Sequence, residues 1–393
     1  MIGETMKKLI CYMLLMVLLT GCGKQTAETA IAPVWEQTTQ QPTQATTEGE
    51  LDPVREILNT MTLEEKVGQM FVICPESIGV TFTPAEVTRE LLTKYPVGGI
   101  MISKSNMIQP EQVISLIDTF QNCSPYPLFM AVDEEGGRVA RFANHGAFPV
   151  PKYSSAAAVG ASGDSNDALS MGQTIGGYLK EYGINMNFAP VADVFTNPNN
   201  TVIGDRAFST DPQVVTQMSH AMATGLRQQN VIPVFKHFPG HGDTAEDSHS
   251  RLAVSYKTLE ELEACEWLPY AGLTDGDCVM VAHVALPNVT GDRIPASLSY
   301  GVVTELLREK LGFTGVVITD GMEMGAIVNT YTPGEASIQA IAAGCDVILE
   351  PADFPAAYAA VVEAVRQGQL TESRIDESVY RILSLKMQYG ILS

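Results

Sequence analysis

Eight short apolar runs, separated by amphipathic stretches, predict an α/β protein built as a single (β/α)8 TIM barrel. The runs are Val67–Ile73, Val97–Ile102, Pro127–Asp133, Ile184–Asp193, Val231–Phe238, Cys278–Val284, Gly315–Asp320 and Cys345–Glu350. They are continuous rather than alternating, as strands covered on both faces are. Between them the apolar residues fall at helical spacing, for example in Pro84–Lys94, Pro110–Asn122, Ser165–Tyr182, Asp211–Gln229, Thr258–Gly272 and Ser299–Leu311. Thr83 before Pro84, and Ser165, are cap-like openings. Eight strand-helix alternations over roughly 300 residues match the repeat and size of such a barrel. The main competitor is a doubly wound open sheet. No Gly-x-Gly-x-x-Gly follows the first run, so dinucleotide binding has no support.

The first fifty residues read differently. Lys7 and Lys8 precede an apolar run from Leu9 to Leu19, which is the length of an export signal and too short to span a bilayer comfortably. It ends in Leu19-Thr20-Gly21-Cys22, which resembles the bacterial lipobox and makes Cys22 the expected lipidation site, with a membrane anchor as the implied partner. Residues 23–50 are rich in Thr, Gln, Ala and Glu and hold too few large apolar residues to fold. The expected organisation is therefore a lipoprotein signal over 1–21, a lipidated Cys and disordered tether over 22–50, and the barrel over 51–393. Its location is the extracytoplasmic face of the cell membrane. The chain ends soon after the last helical stretch, so no second domain is expected.

The 393 residues carry a net charge of −21, from 24 Lys+Arg against 45 Asp+Glu, with 45% hydrophobic residues. That balance argues against nucleic acid as a partner and against a polybasic membrane-surface module. Without Cys11 and Cys22, the cysteines are Cys74, Cys123, Cys265, Cys278 and Cys345, an odd number with no Cys-x-x-Cys pair. At least one thiol is then free. Cys278 and Cys345 open apolar runs, where a buried thiol is the natural reading.

In a barrel the chemistry sits at the C-terminal ends of the strands. Those ends read Asp133, Asp193, Lys236–His237, His283, Asp320 and Glu350. The densest stretch is Lys236-His237-Phe238-Pro239-Gly240-His241-Gly242-Asp243, followed by Asp247-Ser248-His249. A metal site on His237 and His241 would need a helix, which Pro239-Gly240 opposes, so no metal is expected. Asp247 and His249 stand two apart, so in an extended segment both side chains point the same way. A carboxylate beside imidazole fixes its tautomer and raises its basicity. Asp205 and Arg206 read alternatively as a loop ion pair, Asp193 as a loop cap, and Gly136-Gly137 as only a turn.

Five ordered motifs resemble the family-3 glycoside hydrolases, in particular their bacterial β-N-acetylglucosaminidase branch. They are VDEEGGRVAR at 132–141, GDRAFS at 204–209, KHFPGHGD at 236–243, DSH at 247–249 and VITDGMEM at 317–324. The resemblance implies that Asp320 is the nucleophile, His249 the general acid/base and Asp247 its orienting partner. It implies that Asp133, Arg141, Arg206, Lys236 and His237 hold the terminal sugar, with His283, Asp193 and Met324 near the pocket. It implies a retaining β-N-acetylglucosaminidase (β-hexosaminidase) that needs no cofactor and acts on an N-acetylglucosamine-containing glycan such as a cell-wall fragment. Two departures stand out. Gly321-Met322 follows the nucleophile where the family has a second Asp or a small residue. Glu134 replaces a common Gln and is expected to add charge near the pocket. A phosphorylase with the same residues is the first alternative. A lipid-anchored glycan- or solute-binding protein is the second, and an inactive wall-binding barrel the third.

Overall fold

The structure, a computed structural model, describes residues 52–245, 248 and 250–393. The expected signal, tether and lipidated Cys22 lie outside these residues, and so do Asp247 and His249. Among the described residues no helix is long and apolar enough to cross a membrane.

Eight parallel strands follow one another around a barrel. They are β1 Phe71–Ile73, β2 Gly99–Met101, β3 Phe129–Val132, β4 Met186–Asn187, β5 Ile232–Phe238, β6 Cys278–Val281, β7 Val316–Thr319 and β8 Ile348–Leu349. Each pairs with its neighbour in chain order, and β8 pairs back onto β1 through Phe71↔Ile348 and Val72↔Leu349. The seam between β7 and β8 is the thinnest. It is made by the bridge Ile318↔Val347 and by the N–H groups of Asp346 and Val347 donating to the Val317 carbonyl at 2.8 and 3.0 Å. The four residues of β3 are all buried, as are the four of β6, which is why these runs are apolar throughout.

Several elements are shorter than their sequence runs. The first half of Val67–Ile73 belongs to the helix Leu63–Gln69, which Thr62 and Glu65 start with a capping box. The run Ile184–Asp193 keeps only two strand residues. Pro190 lacks the N–H that a ladder needs, and the chain beyond it drifts onto β5 through Val191↔Lys236. The stretch Pro84–Lys94 is two short helices, Pro84–Glu86 and Arg89–Lys94, the second capped by Thr88. Thr258–Gly272 likewise divides into Leu259–Ala264 and Leu268–Tyr270, the latter with Pro269 in its first turn. The last of the six stretches is a π-helix over Gly301–Lys310. The long helices Pro110–Cys123, Ser165–Glu181 and Pro212–Gln228 follow the sequence pattern within one or two residues.

The five cysteines from Cys74 onward are free thiols, and Cys278 and Cys345 are buried. Below the seam, the fully buried Asp346 accepts from Arg308 (2.6 Å), Arg381 (3.1 Å), Ser378 (2.7 Å) and the Val317 N–H (3.0 Å). This one carboxylate ties the π-helix and the C-terminal helix Glu372–Gln388 to the start of β8.

Candidate active site

A cavity of about 550 Å³ opens at the C-terminal ends of the strands. Its walls include Asp133, Glu135, Arg141, Arg206, Lys236, His237, Asp320 and Met324. All five side chains expected to hold the sugar are therefore in one place, together with Met324 and the expected nucleophile.

The sequence VDEEGG carries the first wall. Asp133 closes β3, and the hairpin Glu134–Gly136 with Val139–Ala140 follows at once. Alternation sends Asp133 and Glu135 to the cavity and Glu134 away from it. The Lys236 Nζ donates to Asp133 Oδ1 at 2.7 Å and stands 2.7 Å from Glu135 Oε1. Arg141 donates to Asp133 Oδ2 at 2.9 Å. Arg206 grips Glu135 with both prongs, Nε to Oε2 at 2.9 Å and Nη2 to Oε1 at 2.8 Å, the bidentate geometry that guanidinium favours. Burial alone would raise both carboxyls, but the facing cations win and hold them below their ordinary range. The same carboxylates keep Lys236 and Arg206 firmly charged against their own burial.

Lys236 and His237 are consecutive on β5, yet both face the cavity. The register of β5 on β6 shifts between Lys236 and Phe238, which breaks the strict alternation of a strand. Behind His237 lies Asp193, buried, with Oδ2 2.6 Å from His237 Nδ1 and Oδ1 accepting the His241 N–H at 2.7 Å. Asp193 is thus the support of an imidazole and not a cavity wall.

Asp320 follows β7. Its Oδ1 accepts the Gly321 N–H at 2.9 Å. Burial pushes its carboxyl up, and His237, His283, the Gly321 N–H and Lys236 together bring it below the ordinary value, so it is ionised at neutral pH. A Cβ at Gly321 would lie 2.7 Å from Glu323 Oε2, the end of a side chain that can turn aside, so packing does not demand glycine there. Glu323 and Glu350 also line the cavity. Glu323 keeps an exposed edge, yet the desolvation it suffers, and then Glu350, Asp320 and Asp133, push it up to about 8. Burial raises Glu350 too, against the hydrogen bond it accepts from Cys74.

Two expectations and one alternative reading change. His283 is fully buried and does not line the cavity; its Nε2 is 2.9 Å from the Gly321 carbonyl and its Nδ1 2.7 Å from Ser297 Oγ, so it braces the backbone behind Asp320. Glu134 adds no charge to the pocket. It is wholly buried, accepting from the Tyr178 hydroxyl (2.7 Å) and the N–H groups of Phe142 and Ala143 (2.8 and 2.9 Å). Arg206 is not paired with Asp205, which instead meets Arg138 at 3.1 Å.

Sequence reasoning passed over Glu135, Glu323, Arg138, His241 and Ser248 as cavity residues. Period-two alternation from Asp133 would have found Glu135; the others come from loops that carry no such period. His241, read only as a metal candidate, lies in the loop after β5 and not on a helix. Among the described residues no group of three or more His, Cys, Asp or Glu side chains could hold a metal ion.

The N-terminal domain model of glycosyl hydrolase family 3 matches residues 62–385. Beta-hexosaminidase LpqI of Mycobacterium tuberculosis is 34% identical over 82% of this chain and 82% of its own. Beta-hexosaminidase A of Pseudoalteromonas piscicida is 32% identical over 83% of this chain, which spans 61% of that longer protein. Among solved structures, a glycoside hydrolase family 3 β-N-acetylglucosaminidase from Paenibacillus sp. str. FPU-7 superposes with a TM-score of 0.78 at 37% identity, covering 84% of this chain and 63% of that one. A family member from Mycobacterium smegmatis gives 0.75 at 34% identity, covering 84% of this chain and 98% of that one. With a family match across most of its barrel and relatives of this identity, the chain belongs to glycosyl hydrolase family 3.

Proposed function

We propose that the protein is a retaining β-N-acetylglucosaminidase that removes terminal N-acetylglucosamine from the non-reducing end of cell-wall fragments or related glycans. Asp320 carries this reading: an ionised carboxylate, braced by a backbone N–H, in a sugar-sized cavity where Asp133 and Glu135 are already matched by cations and Glu323 and Glu350 are raised. The names of the hexosaminidase relatives support the substrate class.

In the proposed reaction Asp320 attacks the anomeric carbon. The bond to the leaving oxygen breaks as His249, oriented by Asp247, gives that oxygen its proton. A glycosyl ester on Asp320 results. His249 then takes a proton from water, which attacks the same carbon and frees Asp320, with net retention. Asp133 accepts from ring hydroxyls, and Lys236, Arg141 and Arg206 donate to others, as their acceptor-only and donor-only chemistry allows. His237 and Met324 complete the wall, and His283 acts from behind by fixing Gly321. No cofactor enters the scheme. Export as a lipoprotein anchored at Cys22 is part of the same proposal, and loss of membrane association in Cys22→Ala tests it.

Release of chromophore from an aryl β-N-acetylglucosaminide tests the activity. Asp320→Ala is expected to abolish turnover. His249→Ala is expected to lower rates with poor leaving groups by about 100-fold or more, and much less with activated aryl leaving groups that need no proton. Equal losses on both substrates would remove His249 from the acid role. Free sugar is the expected product with or without phosphate. Sugar 1-phosphate as the main product would make the protein a phosphorylase.

A further inference from the structure

The His241 side chain is buried and has a partner on each ring nitrogen. Nε2 lies 2.8 Å from Ser248 Oγ, and Nδ1 lies 2.8 Å from Thr244 Oγ1. The Thr244 hydroxyl is also 3.0 Å from the His241 carbonyl. Where it gives its proton to that carbonyl, it accepts from Nδ1–H, and the Ser248 hydroxyl donates to Nε2. This arrangement needs a neutral imidazole, and burial with the neighbouring His237 holds His241 below its ordinary value. The backbone at His241 is fixed as well, because its main-chain N–H donates to the buried Asp193 that orients His237.

Ser248 stands between Asp247 and His249 in the chain. Its backbone is tied too. The Ser248 carbonyl accepts the Ala326 N–H at 3.3 Å, and the Ser250 carbonyl accepts from Asn329 Nδ2 at 3.2 Å. Ala326 and Asn329 follow the nucleophile Asp320 by only a few residues. Three contacts thus hold Ser248 and Ser250, one to the loop after β5 and two to the residues after β7. Ser248 is the described residue through which these contacts reach its two neighbours in sequence.

We propose that His241 and Ser248 are positioning residues, whose hydrogen bond sets the reach of His249 toward the leaving-group oxygen. The inference rests on His249 being the proton donor of the preceding section. Small errors in such placement are costly, since about 1 Å can take a hundredfold in rate.

The test uses the full chain and two substrates, an aryl glycoside with an activated leaving group and one with a poor leaving group. Ser248→Ala removes one oxygen and is expected to lower kcat on the poor leaving group by about 10- to 100-fold, with less than about a 3-fold loss on the activated one and KM unchanged. The decisive arm is Ser248→Ala in a His249→Ala background. If Ser248 acts through His249, no further loss follows there. Equal losses on both substrates, or a full multiplicative loss in the His249→Ala background, would overturn the positioning role and leave the hydrolase reading intact. If His249→Ala itself shows no dependence on leaving group, the acid assignment fails and this inference fails with it.

Discussion

The site is a ledger of charges in which nearly every deep group has a named counterpart. Lys236 sits between Asp133 and Glu135, and Arg206 clasps Glu135. Removing one member of such a buried set strands another, at a cost of about 3–5 kcal/mol. Glu323 stands outside this pairing: it faces other carboxylates and is pushed up to about 8. Its unfolded-state value is near 4.5, so the folded chain binds the extra proton between the two. The stability Glu323 contributes is fully present below about 4.5 and is lost as pH rises through about 8. Glu323→Gln, which cannot ionise, is expected to melt at the same temperature as the parent near pH 4.5 and above it at pH 9, about one unit past the titration. Thermal denaturation at the two pH values measures this. A parent and variant that track each other across the range would show that Glu323 ionises normally.

At the scale of elements, the decisive piece is β5 and the loop that leaves it. Its register shift brings Lys236 and His237 to one face, and the loop then packs on the segment after Asp193. Gly242 marks the closest approach. A Cβ there would lie 1.9 Å from the Val194 carbonyl oxygen, while the Asn197 N–H donates to the Gly242 carbonyl at 3.1 Å. Both partners are backbone, so neither can rotate away. Gly242→Ala is expected to destabilise the fold by about 1–3 kcal/mol or more, read as a lower melting temperature, and to lower kcat/KM by moving His241. An unchanged melting temperature would mean that the two loops do not pack as described. This loop also marks what the sequence could tell. Barrel class and the gathering of Asp133, Lys236, His237 and Asp320 were legible, because buried parallel strands are apolar throughout and end at the active face; Arg141 and Arg206 entered through the family resemblance alone. The inward turn of Glu135 was legible in principle from alternation. The withdrawal of His283 behind Gly321 was not, because its position depends on Ser297 and Gly321, which are distant in sequence. Nor was the shortening of β4, which depends on how far the chain can pair with β5 after Pro190.

The opposite end of the barrel holds the other unusual titration. Lys386, on the C-terminal helix, is wholly buried; its Nζ donates to Gln69 Oε1 at 2.8 Å and stands 4.8 Å from the centre of the Phe129 ring. Neither neighbour carries a negative charge, and burial brings the amine down to about 7. The folded chain therefore holds fewer protons than the unfolded one between about 7 and 10.5. Stability rises with pH across that window and is lost as pH falls toward 7. The slope is opposite in sign to that of Glu323, and the two overlap between about 7 and 8, so their effects partly cancel in the parent protein. Lys386→Met, which fills similar volume without charge, is expected to remove the alkaline gain. Its advantage over the parent should be largest at neutral pH and should shrink toward pH 10. In that variant the loss from Glu323, and from other raised carboxyls such as Glu350, is no longer offset, and stability should fall from about pH 5 to about pH 8. Denaturant midpoints of the parent, the two single variants and the double variant, measured across pH, separate the contributions. The residues lie at opposite ends of the barrel, so their effects should add. A Lys386→Met variant whose pH dependence matches the parent's would show that the amine is charged and satisfied where it lies.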